Sequence, residues 1–152
     1  MKATNHKMQN RVSALLVALT LVTVMAAAAP FAAAENVRPA VTLASLKGSW
    51  QGTLVGQGGC GMGSKLLNFT LNSSGESTSG TWTSNTVSCG SVTNSLTFTI
   101  NSLNSDGSGT ATAEAGTGVF HYNIQVNGAS NVFNIVEVTD AGNYEAGTAI
   151  KQ

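Results

Sequence analysis

Two short runs around one turn decide the fold: Lys65-Leu66-Leu67-Asn68-Phe69-Thr70-Leu71-Asn72 and Ser77-Thr78-Ser79-Gly80-Thr81-Trp82-Thr83-Ser84, joined by Ser73-Ser74-Gly75-Glu76. Leu67, Phe69 and Leu71 alternate with Asn68 and Thr70, the period of a strand with one face in a core and the other in water. Ser74-Gly75 supplies the turn, since glycine reaches the positive φ that tight hairpins need. Centring the hairpin there sets Leu71 against Thr78, Phe69 against Gly80 and Leu67 against Trp82, all on one face. A slip of one residue would send the whole apolar set to the solvent side.

The same reading, carried outward, predicts eight strands near 49–55, 65–72, 77–84, 94–103, 109–115, 118–126, 131–139 and 143–151. Further turns fall at Asp106-Gly107, Asn127-Gly128 and Ala141-Gly142. Their centres set Ile100 against Ala113 and Phe98 against Ala115. They also set Ile124 against Phe133, Tyr122 against Ile135, Phe120 against Glu137, Phe133 against Ile150 and Ile135 against Thr148. The opposite face reads Asn68, Thr70, Thr97, Thr99, Asn101, Thr112, Glu114, His121, Asn123 and Gln125, which suits water. Eight short consecutive strands, each joined to the next by a hairpin, predict an all-β, eight-stranded antiparallel up-and-down β-barrel, closed so that no edge is left exposed. A two-sheet β-sandwich is the competing architecture.

The chain opens differently. Lys2, Lys7 and Arg11 precede the uncharged, mostly apolar run Val12 to Ala29, and small residues ending Ala32-Ala33-Ala34 follow. That order predicts a secretory signal peptide over 1–34, cut after Ala34. It leaves an N-terminal extended arm over 35–45 and a barrel domain over 46–152. The 152 residues carry seven basic and seven acidic side chains, but the exported portion keeps four basic and seven acidic, a net charge of −3. No basic patch for nucleic acid remains, and no membrane span is expected once the leader is removed. The expected compartment is secreted or periplasmic.

Both cysteines fall in connections at one end of a meander. Cys60 lies in the Gly-rich stretch 56–64 between the first and second strands, and Cys89 between the third and fourth. An exported chain permits a Cys60–Cys89 disulfide there. No C-x-x-C motif, His cluster or phosphate loop suggests a metal or another cofactor.

The segment Leu46-Lys47-Gly48-Ser49-Trp50 resembles the L-x-G-x-W start of the first strand in the calycins, the lipocalin and avidin group. Gly80-Thr81-Trp82-Thr83-Ser84 is similar to the third-strand G-T-[YW]-T of avidins. The likeness covers most of 46–151 and implies a barrel with a ligand cavity at one end and Trp50 packed at the other. The avidin positions that bind a ureido group, two and six residues after Trp50, hold Gly52 and Gly56. Secreted bacterial inhibitors of metalloproteases share the small disulfide-bearing barrel and the L-x-G-x-W-like start, and insert an N-terminal arm into the protease. Residues 35–44 offer a segment of that kind.

On this register Trp82, Phe120, Tyr122, Glu137 and Tyr144 face inward, several of them toward the Cys-loop end, among the small residues Gly80, Ala113, Ala115 and Ala146. Large aromatics facing small residues leave room for a ligand, and an inward carboxylate is costly to bury without a role. These five residues are the candidate site for a small, partly apolar ligand, Glu137 orienting a polar or cationic group. Glu145 is read as outward-facing, so that Glu137 lacks the second carboxylate that glycoside chemistry requires. His121, the one His after the leader, is read as a solvated residue on the outer face. No enzyme activity is expected. The alternatives are a protein-binding module such as a lipocalin-like protease inhibitor, and an envelope or surface protein without a small ligand.

Overall fold

In the computed structural model, residues 39–139 and 142–152 are described; the expected leader over 1–34, the first part of the expected arm over 35–38 and the residues Asp140 and Ala141 lie outside them. A short 3-10 turn at Leu43–Leu46 precedes eight strands: β1 Gly48–Gly58, β2 Gly61–Leu71, β3 Ser77–Thr86, β4 Gly90–Leu103, β5 Ser108–Ala115, β6 Gly118–Val126, β7 Val132–Glu137 and β8 Tyr144–Lys151. Each pairs antiparallel with the next, and β8 returns to β1, closing the expected up-and-down barrel. No helix among the described residues is long and apolar enough to cross a membrane.

The deciding hairpin has its expected pairs Phe69 with Gly80 and Leu67 with Trp82. A bulge after Thr70 sets Leu71 against Ser77 instead of Thr78. Two other hairpins are displaced by two residues. Phe98 faces Ala113 and Ile100 faces Ala111, next to a bulge between Ile100 and Ser102. Ile124 faces Ile135 and Tyr122 faces Glu137. Because side chains alternate with period two, an even displacement leaves every inward residue inward.

β8 is displaced by one residue, and that inverts it. Phe133 faces Ala149 and Ile135 faces Gly147, where Ile150 and Thr148 were expected. Ala149 and Glu145 are therefore buried, while Tyr144 and Ile150 are exposed and Ala146 faces solvent. Packing explains the choice. The closed end is already filled by Trp50, Phe69, Phe98 and Phe133, with ring centroids 4.3 Å apart for Trp50–Phe133 and 4.6 Å for Phe69–Phe98. Only small side chains fit opposite them, and β8 supplies Gly147 and Ala149. A Cβ on Gly147 would lie 1.8 Å from the Thr53 carbonyl oxygen, so β1 and β8 approach too closely there for any other residue. The apolar residues of β8 that suggested the other face are left on the surface.

The strands also run further toward the cysteines than expected. β1 and β2 remain paired to Gly58 and Gly61, so the stretch 56–64 is a hairpin tip and not a loose loop. β3 and β4 likewise pair out to Thr86 and Gly90. These ends carry Gly, Ser and Thr, which hide the alternation that marks a strand. The two tips are tied by the Cys60–Cys89 disulfide, with Cα atoms 5.6 Å apart.

The other end is capped by residues expected in the extended arm. Thr42 and Ser45 form a capping box around Leu43–Leu46, and Val41 and Leu46 are buried. Leu46 accepts a 2.9 Å hydrogen bond from Trp50 Nε1, and the Lys151 ammonium donates to the Ser45 carbonyl oxygen at 2.9 Å. Local capping chemistry and burial of Leu46 thus override the extended conformation read from Pro39 and the lack of helical periodicity. Within 39–45, Pro39 and Ala40 are exposed.

Candidate functional site

The site follows from the inward phase of five strands, β2, β3, β6, β7 and β8, above the aromatic core. On β2, Leu71, Phe69 and Leu67 point inward, so Lys65 does too. It stands beside Leu54 of β1 and Ser84 of β3 in the ladder. On β8 the observed register brings Glu145 inward two residues beyond Gly147. The Lys65 ammonium and a Glu145 carboxylate oxygen form an ion pair, with the two side chains 10% and 5% exposed.

Trp82 of β3 and Phe120 of β6 reach across the lumen and stack, with centroids 4.9 Å apart and planes 15° from parallel. The Lys65 ammonium lies 4.6 Å from the Trp82 ring and 4.7 Å from Phe120. The three centres form a near-equilateral triangle. An ammonium is attracted to an aromatic ring in this way, and more strongly where water is excluded.

Beneath this layer, Glu137 of β7 and Tyr122 of β6 are cross-strand partners, and both are buried. The Tyr122 hydroxyl and the second Glu145 oxygen have no hydrogen-bond partner among the described residues. Burial first, and then the Glu145 and Glu137 carboxylates, push the Tyr122 hydroxyl far above the ordinary tyrosine range. The phenol is therefore neutral wherever the barrel is folded at ordinary pH. The sign of the linkage follows. Above about pH 10 the unfolded chain loses a proton that the folded chain keeps, so this group's contribution is complete below about pH 10 and disappears as pH rises. Denaturant unfolding of a Tyr144→Phe background is expected to weaken by up to about 1.4 kcal/mol per pH unit above that point. Adding Tyr122→Phe should remove that part of the slope.

Toward the disulfide the layer opens into a cavity of about 510 Å³. That is within the range of small-molecule sites, roughly 300–1,000 Å³. Its wall includes the Gly58–Gly61 tip and the disulfide on one side, Trp82 and Phe120 on another, and Lys65, Glu137 and Glu145 at the charged side. Gly118 leaves the room that the Phe120 ring needs, since a Cβ there would lie 2.7 Å from it.

Four of the five residues expected in the site, Trp82, Phe120, Tyr122 and Glu137, gather at this end. Tyr144 does not: it is exposed on the outer face, its hydroxyl 3.2 Å from Gln57 Oε1, because β8 is turned over. The same inversion corrects the position of Glu145, which joins Glu137 inside. Lys65, absent from the expected site, carries a readable signal in its period-two phase with Leu67, Phe69 and Leu71. His121 is exposed on the outer face as expected, with Nδ1 3.3 Å from the Thr112 hydroxyl. No group of three or more metal-ligating side chains is present among the described residues.

Compared with known protein families, curated proteins and solved structures, the chain matches none of them.

Proposed function

We propose that the chain is an exported, calycin-like binding barrel that takes a small, partly apolar ligand into the cavity at its disulfide end. The observation that carries this reading is the cavity of about 510 Å³ above a stacked Trp82–Phe120 pair, with Lys65, Glu137 and Glu145 on its wall. An apolar ring surface beside a few polar groups is the composition of small-molecule sites. Export is supported by the leader pattern over 1–34 and by the disulfide, which persists in oxidising compartments. The small closed barrel and the Trp50 cap fit the calycin resemblance.

The chain has two tryptophans, and they occupy opposite ends of the barrel. A screen of small aromatic and aliphatic compounds by NMR therefore contains its own control. Binding in the cavity is expected to shift the Trp82 indole resonance and leave that of Trp50 in place. Shifts confined to outer-face residues, or none at millimolar concentrations, would contradict the reading.

A further inference from the structure

The charge on the cavity wall points to the class of ligand, and this inference rests on the binding reading above. The ionisable side chains of the wall are Lys65, Glu137 and Glu145, two carboxyl groups to one ammonium. The ion pair uses one Glu145 oxygen. The other is buried with no hydrogen-bond partner among the described residues. That oxygen accepts hydrogen bonds, and the neighbouring rings present their faces to a cation already, since the Lys65 ammonium lies within 4.7 Å of both. The chain's own lysine thus displays what the cavity accommodates: an ammonium held between a carboxylate and two aromatic rings.

We infer that the cavity selects organic cations, specifically small primary amines carrying an apolar group. The ligand's N–H donors face the Glu145 and Glu137 side of the wall, and its apolar part lies against Trp82 and Phe120. Hydrogen bonds to a charged group are stronger than those between neutral groups, so a cation gains more here than a neutral molecule of the same shape. An anion meets a wall whose carboxyl groups outnumber its one ammonium.

Three probes of similar shape test this on the intact chain: phenethylammonium, phenethyl alcohol and phenylacetate, each titrated at neutral pH while the Trp82 indole resonance is followed. The expected order is phenethylammonium about tenfold tighter than the alcohol, a difference of one decade in Kd, with phenylacetate weakest. Glu137→Gln, which leaves the Lys65–Glu145 pair in place, is expected to erase most of the preference for the cation. Equal affinities for all three probes, or preference for phenylacetate, would overturn the cation inference while leaving the cavity as a binding site. Binding by none of them at the Trp82 end would overturn both.

Discussion

Trp50→Ala is expected to lower the free energy of unfolding by about 3–5 kcal/mol, the range for deleting a large buried aromatic side chain. Trp50 is 1% exposed, and three separate losses coincide there. Its ring packs 4.3 Å from Phe133 and is stacked with Phe69 at 6.5 Å. Its indole N–H is the donor to the Leu46 carbonyl, so alanine leaves that oxygen buried under the 3-10 turn without its hydrogen bond. Leu46, held by that hydrogen bond, then loses its tie to the barrel, and the cap over the closed end loosens with it. Urea denaturation measures this through a lower midpoint at an unchanged slope. Trp50→Phe separates the contributions: it restores much of the ring contact but not the hydrogen bond, and about 1–2 kcal/mol of the loss should remain. A Trp50→Ala variant as stable as the parent would show that the closed end is not organised around this residue.

Lys65→Met is expected to cost about 3–5 kcal/mol, because it strands a buried carboxylate whose partner ammonium is gone. Methionine keeps the length of the stem, so the loss reports charge rather than volume. The double variant Lys65→Met/Glu145→Gln should recover most of the stability, since replacing both members of a buried ion pair by neutral groups is often nearly neutral. The coupling between the two positions, read from a double-mutant cycle, is the diagnostic quantity. Additive effects would mean that the pair does not exist inside the folded barrel. Both variants also change the cavity: the single one leaves its wall with two carboxylates and no lysine, and the double one removes the ion pair.

Much of this architecture is legible in the residues, and the reasons differ from place to place. The 65–84 hairpin is readable because Leu67, Phe69 and Leu71 leave one face for the core and Asn68 and Thr70 leave the other for water. Displacements by two residues at β4–β5 and β6–β7 do no harm to the assignment of faces, because parity is preserved. β8 defeats the same logic. Along Tyr144 to Lys151 one face offers Tyr, Ala, Thr and Ile and the other Glu, Gly, Ala and Lys, and apolar content favours the first. The barrel takes the second, because a small residue, Ala149, faces Phe133 and only glycine fits where β1 approaches β8 at Gly147. That is a volume constraint set by other strands, and local pattern carries no trace of it. One wrong residue of register places Tyr144 in the cavity and Glu145 outside, and so hides the ion pair. The 3-10 cap escapes for a related reason: four residues show no periodicity, and the Thr42–Ser45 capping pair takes its meaning from the buried Leu46 beside it.

Everything assigned to the cavity's charged side depends on where β8 sits against β7 and β1. Cross-strand nuclear Overhauser contacts in the folded protein measure that register directly. The structure predicts contacts between Ile135 and Gly147, Phe133 and Ala149, and, on the other side of β8, Leu54 and Gly147. Contacts joining Phe133 to Ile150 and Ile135 to Thr148 as facing pairs would turn Glu145 outward, separate it from Lys65, and contradict the site.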